Sequence, residues 1–506
     1  MPWLPAVRCA LGCALLLTIA PGAAAQDLAA FEKRVTVETL DNGLTLIVCE
    51  RPEAPVFSFF THVDVGADRE VPGITGIAHM FEHRAFKGTD TIGTTDYAAE
   101  KAALERVEEA YAAFDEERRK PIGRDEKRQD ELDKAWRDAI GAADKYVVSN
   151  AFGEIIDREG GVGLNAYTNS DETGYFFSFP ANRLELWAYL ESERFLKPVM
   201  REFYKERDVV MEERRMRTDS NPIGRLFEQA LAASYIAHSY GRPVVGWMSD
   251  LQSFSATDAR AFYDRYYIPA NMIVAVVGDV KAAEVVSLVK KYFRRLPARA
   301  RPEPVRTVEP PQLGERQVRL KESSQPVYLE TYHRPSARDP DDAVYDVVGE
   351  LLSRGRTSRL YRSLVRDKRI AAQAVGFAGF PGTKYPNLFL FGAIPVPGHT
   401  TAELQEAIRT EIERLKTEDV SEEELRMIKT RVKADLLRQL ASNTGLAQQL
   451  AINHARLGDW REMFRQVDRI DAVTAADVRR VANKTFVESN RTVAILDTQT
   501  PEQGSR

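Results

Sequence analysis

Cysteine is nearly absent from this chain. There are three among 506 residues, and two of them, Cys9 and Cys13, sit in the first apolar stretch. Beyond it only Cys49 remains, which excludes an internal disulfide framework. Histidine is scarce as well, at seven. Neither sign of charge dominates: 70 Lys and Arg stand against 75 Asp and Glu. No basic patch of the kind that marks a nucleic-acid partner is present. Long apolar runs are missing too. The one candidate, Cys9 to Ala20, is too short for a bilayer span, which takes about 20 residues.

That run lies in "MPWLPAVRCALGCALLLTIAPGAAA", residues 1–25. Arg8 precedes the apolar core, and Ala23-Ala24-Ala25 follow Pro21-Gly22. This is the pattern of a secretory signal peptide cut near Ala25. Its removal takes away one charge, Arg8, leaving 69 basic against 75 acidic residues and a net charge of −6. The expectation is a periplasmic protein with no membrane span in the mature chain. A chain this long buries a sufficient core without cross-links and contains more than one domain.

Two of the few histidines stand together in "HMFEH", His79 to His83. On a helix, residues i and i+4 share a face with Cβ atoms about 5–6 Å apart. Imidazole nitrogens so placed converge on one zinc ion with bonds of about 2.0–2.1 Å. Glu82 projects towards the same ion. It need not be a ligand, because a carboxylate there takes a proton from a water activated by the metal. This is the H-x-x-E-H order, the reverse of H-E-x-x-H. The plainer reading is a helix with two hydrogen-bonded histidines, and the scarcity of His weighs against it.

The chain also contains a repeat. Phe254 to Val277, "FSATDARAFYDRYYIPANMIVAVV", matches Val473 to Leu496, "VTAADVRRVANKTFVESNRTVAIL". Ser255 and Thr474 read as N-caps, with Asp258 and Asp477 in the positively polarised first turn. Sixteen residues separate Ser255 from Asn271 and Thr474 from Asn490. Between the two lies a Pro-rich stretch, Arg295 to Arg316, without apolar period. Pro fixes φ and lacks an N–H, so this is an extended linker. The expected units are 34–297 and 317–498, with the linker at 298–316.

Each unit mixes hairpins and helices. Asp41-Asn42-Gly43 sits between two β-rich runs, a strong hairpin signal. "VFSFFTHVDVG", "LNAYTNSDETGYFFSFP" and "NMIVAVVGDV" read as further strands. The fold class is therefore α+β: two homologous repeats, each a mainly antiparallel sheet with helices on one face. Residues 97–148 interrupt the first repeat. Leu104, Val107, Tyr111 and Phe114, then Leu132, Trp136 and Ile140, recur at helical spacing among charged residues. That predicts a helical hairpin with a narrow apolar seam. It is either a solvated excursion packed on itself or a lid or partner-binding arm.

A catalytic zinc usually takes three protein ligands, and no third His lies nearby. In "FYKERDVVMEERRMR" Glu206 and Glu213 are seven apart and share a helix face, whereas Glu212 points about 100° away. Spacing does not choose between Glu206 and Glu213.

HMFEH, "GVGLNAYTNSDETGYFFSFP", "KERDVVMEERRMR" and the segment from Ser239 to Val280 resemble, in that order, the inverzincin peptidases of the pitrilysin/insulinase (M16) family, which includes the mitochondrial processing peptidases. The likeness extends over nearly the whole mature chain and is strongest to half-length bacterial members. It implies a processing-peptidase-like metallohydrolase fold and a Zn2+ cofactor. It implies Glu213 as third ligand and Glu206 as an acid beside the ligands that orients the site. The separation of His83 from Glu213 exceeds the family's by roughly the 97–148 hairpin, which therefore reads as an insertion.

The family binds its peptide or unfolded polypeptide substrate as an added β-strand. The matching edge here is "LNAYT", with Asn165 and Ala166 nearest the site. The segment "SRLYRSLVRDKRIAAQAVGF" resembles the one carrying an Arg and a Tyr that contact the substrate carbonyl. Arg366 matches the Arg, while Gln373 stands at the Tyr position. A homologous M16-like subunit, as a hetero- or homodimer, would then supply the complete pair. The expected activity is zinc-dependent endopeptidase, with Glu82 activating water. The alternative is a non-catalytic substrate-binding or scaffolding half of a heteromeric complex.

Overall fold

A computed structural model describes residues 31–499. Residues 1–25, read above as a signal peptide, lie outside these.

Among the described residues there are two sheets. The first contains β1 (Val35–Thr39), β2 (Thr45–Glu50), β3 (Val56–Val63), β4 (Val162–Thr168), β5 (Thr173–Pro180) and β6 (Met272–Gly278), in the order β1-β2-β6-β3-β5-β4. The second contains β7 (Arg316–Glu322), β8 (Val327–Arg334), β9 (Ala371–Phe380), β10 (Asn387–Pro395) and β11 (Arg491–Thr498), in the order β7-β11-β8-β10-β9. Setting β1 aside, the two orders are identical. In each the last strand runs parallel to one neighbour, β6 to β2 and β11 to β7. All other pairs are antiparallel.

The matched segments show why the repeat keeps its residues. Ser255 and Thr474 each close a capping box, with Asp258 and Asp477, at the start of the helices Ala256–Tyr266 and Ala475–Thr485. Asn271 Nδ2 donates to the carbonyls of Asp64 and Tyr266. Asn490 Nδ2 donates to those of His333 and Thr485. Each Asn thus ties the end of its helix to a central strand just before the next strand begins. An uncapped helix start leaves backbone donors unpaired, which explains the fixed acid three residues in.

Each sheet carries its own half's helices on one face, as expected. The other face is covered as well, by a helix from the opposite half. On the first sheet Ile47, Cys49, Phe60, Ala275 and Val277 are buried against Leu446, Ala447, Leu450 and Ala451 of the helix Asn443–Leu457. On the second, Leu329, Leu390, Ala494 and Leu496 are buried against Leu226 and Ala230 of the helix Pro222–Ser234. The inner strands β2, β3, β6, β8, β10 and β11 are buried on both faces, and an apolar patch left open to water is costly. The exchange of one helix in each direction removes both open faces.

Residues 297–313 form no helix or strand. They run beside both halves. Arg301 pairs with Asp64 at 2.8 Å, and the Glu309 carboxylate accepts from the amides of Ile236, Ala237 and His238. Lys384, in the turn between β9 and β10, reaches back to Asp64 at 2.5 Å and to Asp68 at 3.4 Å. No described helix is long and apolar enough to cross a membrane.

The 97–148 segment forms two helices, Tyr97–Arg118 and Glu126–Ala143, each N-capped by an Asp side chain. Phe114 stacks on Trp136 at 5.4 Å between ring centroids. The seam faces beyond the hairpin itself: Tyr111 and Trp136 are buried with Tyr204 of the helix Phe203–Arg214.

Candidate metal centre

HMFEH lies on the short helix Ile77–Arg84, and no Ser, Thr, Asp or Asn caps its start. Gly76 precedes it at φ +90°, and a Cβ there would sit 2.6 Å from the Val245 carbonyl oxygen, so only glycine makes this turn. The orphan amides are met from a distance. The Glu70 carboxylate accepts from Gly76 N at 2.9 Å and Ala78 N at 2.8 Å. Burial pushes Glu70 up to about 8, against the pull of those two amides. Asp250 Oδ2 accepts from the amides of Gly73 and Thr75 and from the Thr75 hydroxyl. Sequence reasoning missed both acids. For Glu70 the signal was a helix start without a local cap, which requires an acceptor from elsewhere; Asp250 instead holds the turn before the helix.

The helix turns His79 and His83 onto one side, ring centroids 4.8 Å apart. Glu213, near the end of the helix Phe203–Arg214, meets them. Its Oε2 is 3.7 Å from His79 Nε2 and 3.2 Å from His83 Nε2. One donor atom from each of the three residues lies within 4.8 Å of the others. A tetrahedral zinc with bonds near 2.0–2.1 Å holds its donors about 3.4 Å apart, so two imidazoles and a carboxylate at these separations fit that ion. The second oxygen of Glu213 is 2.6 Å from Arg217 Nη1, which leaves Oε2 to face the histidines.

Glu206, nearly two turns back on the same helix, does not join the three. Its Oε2 is 3.6 Å from His83 Nδ1, the ring nitrogen turned away from Glu213, and its Oε1 is 2.5 Å from Lys87 Nζ. The Glu206 and Glu213 carboxylates push the His83 imidazole up to about 9. His79 is more deeply buried, and burial lowers it to about 4. His83 holds Glu213 below the usual carboxylate range. Burial raises Glu206, but His83 and Lys87 outweigh it and bring it below that range.

Glu82 Oε2 lies 4.0 Å from His79 Nε2. Burial raises its carboxyl, with Thr168 at the end of β4 beside it. A half-buried carboxylate with a raised pKa, next to three metal-type donors, is placed to hold and release a proton.

Asn165 and Ala166 lie on β4, which pairs with β5 on one side and is the edge of its sheet on the other. The Asn165 side chain accepts from Ala166 N at 2.9 Å. Arg366 is not brought to the cluster. It sits in the second half on the wide-turn helix Tyr361–Asp367, exposed, with its guanidinium on Asp367 at 2.6 and 3.0 Å. Gln373 is exposed on β9, the corresponding edge of the second sheet.

Residues 253–432 match the family model described as "Peptidase M16 inactive domain". His79, Glu82, His83 and Glu213 lie outside that range. The chain is 30% identical over 505 residues to the "Zinc protease PqqE" of Helicobacter pylori, covering 97% of this chain and 98% of that one. A crystal structure of a protease from Helicobacter pylori superposes with a TM-score of 0.76 at 29% identity, over 92% of this chain and 99% of that one. The periplasmic protease PqqL from Escherichia coli superposes with a TM-score of 0.65 at 18% identity. There, 93% of this chain accounts for 49% of the other.

Proposed function

Because the chain belongs to the M16 peptidase family, we propose that it is a zinc endopeptidase acting on extended or unfolded polypeptide. The observation that carries this reading is the convergence of His79 Nε2, His83 Nε2 and Glu213 Oε2 with the Glu82 carboxylate alongside. His79, His83 and Glu213 would hold the ion. Zinc there would supply Lewis acidity to an attacking water and to the scissile carbonyl.

The remaining work falls to the chain's own groups. Glu82 takes the proton of the attacking water and delivers it to the leaving amine. Glu206 holds His83 from its Nδ1 side and so sets the ring's orientation. β4 offers its open edge to an extended peptide, with Asn165 and Ala166 nearest the scissile bond. Main-chain pairing of this kind accepts many sequences, which suits an unfolded substrate. Glu82→Gln is expected to keep zinc and lose nearly all turnover on an unfolded protein. Full activity in that variant refutes the mechanism.

Pairing with a second M16-like subunit follows from Gln373. A donor aimed at the substrate carbonyl is worth roughly 10²–10³ in turnover, and Gln differs from Tyr in reach. The chain alone is therefore expected to be weakly active and to gain activity with a subunit that keeps both Arg and Tyr. The 49% coverage of PqqL, a chain about twice as long, supports a two-part assembly. High activity of the lone chain, unaffected by any such subunit and lost on Arg366→Ala, overturns this. Export to the periplasm rests on residues 1–25.

The description of the matching model as an inactive domain favours one other reading, a non-catalytic half that binds substrate or scaffolds a complex. Metal analysis of the purified chain separates the two. One zinc per chain supports the peptidase, and none after reloading supports the scaffold.

A further inference from the structure

The inserted hairpin enters and leaves the fold at one point. Thr94 and Val147 form an antiparallel bridge, and Thr95 N donates to Tyr146 O at 2.8 Å. Between these ends the hairpin lies along the helix that carries Glu206 and Glu213. The contact is made of buried polar and aromatic groups, on the side of that helix turned away from the histidines.

Arg207 follows Glu206 directly and so points about 100° away from it. Its guanidinium is buried. It lies over the rings of Tyr111 and Trp136 from the hairpin, at 5.1 and 5.6 Å, and over Tyr204 at 4.8 Å. Its Nη1 donates to Tyr111 Oη and to Phe254 O, each at 2.9 Å. Tyr204 Oη donates to Glu108 at 2.5 Å, and the other oxygen of Glu108 accepts from Thr257 N and Oγ1. A desolvated guanidinium enclosed by three rings is a strong and directional anchor.

A second anchor reaches the histidine helix. Glu100 of the hairpin is fully buried against Arg201, with bonds of 2.6 and 2.7 Å. The same guanidinium donates to the carbonyls of Lys87, Thr89 and Ile92, just after HMFEH. Arg84, the last residue of the histidine helix, donates to the Arg201 carbonyl at 2.9 Å. Glu100 thus closes a chain of bonds that joins the segment before Glu206 to the segment after His83.

From this arrangement we propose that Glu100, Glu108, Tyr111 and Trp136 are positioning residues of the metal centre. They fix the helix Phe203–Arg214, and with it Glu206 and Glu213, in register with His79 and His83. The hairpin is a buttress of the donor set, which sets aside both the free excursion and the lid. The inference rests on the zinc-peptidase reading above.

The test is zinc affinity of the full chain, by competition with a chromophoric chelator, alongside the melting temperature of the stripped protein. Trp136→Ala is expected to bind zinc about 10-fold more weakly, the loss typical when a group that orients a ligand is removed. Trp136→Phe, which keeps a ring over Arg207, restores most of it. Glu108→Gln, a milder change that stays folded, moves affinity in the same direction. Val348→Ala, in the buried core of the second half, is the control for general destabilisation and leaves affinity unchanged. Unaltered affinity in both Trp136→Ala and Glu108→Gln overturns the proposal, as does an equal loss in Val348→Ala. Failure of the unaltered chain to bind zinc instead refutes the peptidase reading itself.

Discussion

Glu206 separates orienting from ligating by one substitution. Its carboxylate touches His83 at Nδ1, 3.6 Å away, while Glu213 takes the Nε2 side. Glu206→Gln removes the charge and leaves an amide oxygen as acceptor, so only part of the orientation is lost. Glu206→Ala removes both. Loss of such a contact typically costs about 10- to 100-fold in metal affinity, or about 1.4–2.7 kcal/mol. The Gln variant belongs at the low end and the Ala variant at the high end. Lys87 does not become an unpaired cation in either, because it keeps Glu202 at 3.1 Å. Glu213→Ala, by contrast, removes a donor and abolishes tight binding. The assay is competitive zinc titration at neutral pH, with unfolding followed in parallel to show intact proteins. If Glu206→Ala binds zinc within about twofold of the unaltered chain, Glu206 does not orient His83. If Glu206→Ala and Glu213→Ala lose affinity equally, the division between the two acids is wrong.

Two further outcomes follow from contacts between the halves. Burial raises the Asp64 carboxyl, but Lys384, His62 and Arg301 outweigh it and hold it well below the usual range. A depressed acid contributes stability that is present above its unfolded pKa of about 3.9 and is lost as pH falls below it. Neighbouring Asp68, which burial pushes up to about 7, runs the opposite way and loses its contribution as pH rises through that value. Melting temperature should therefore fall more steeply between about pH 5 and pH 3 in the unaltered chain than in Asp64→Asn; parallel curves refute the assignment. Leu450→Ala, which opens a fully buried site between the helix Asn443–Leu457 and the first sheet, should cost about 2–5 kcal/mol in a denaturant titration, and a cost below about 1 kcal/mol would mean that this face is not sealed by that helix.

What could be read from the chain was local or periodic. HMFEH states its geometry within one helical turn. The Asp41-Asn42-Gly43 turn states the β1–β2 hairpin. The two capping boxes and their Asn partners state a duplication, and the shared strand order carries it through both sheets. Glu206 and Glu213 were legible only as a pair on one face, since the choice between them depends on which ring nitrogen each meets. What stayed hidden depends on distant segments. Glu70 acts on a helix start that it does not adjoin, and Asp250 on the turn that leads into it. Arg207 looks like one more charge in "KERDVVMEE" until Tyr111 and Trp136 arrive from 96 and 71 residues earlier. The exchanged helices were hidden for a related reason: β6 is apolar on both faces, which announces a second cover without saying which helix supplies it.

The exchange has a mechanical consequence for the metal centre. The helix that seals the second sheet, Pro222–Ser234, begins nine residues after Glu213, and Arg214 grips it through Glu228 at 2.9 and 3.2 Å. Third donor and second half are thus wired together through one short rigid segment. A displacement of the second half would be carried along this segment to the position of Glu213 Oε2. On the zinc-peptidase reading, a substrate or subunit that moved that half would act on a proposed ligand directly, without a separate relay.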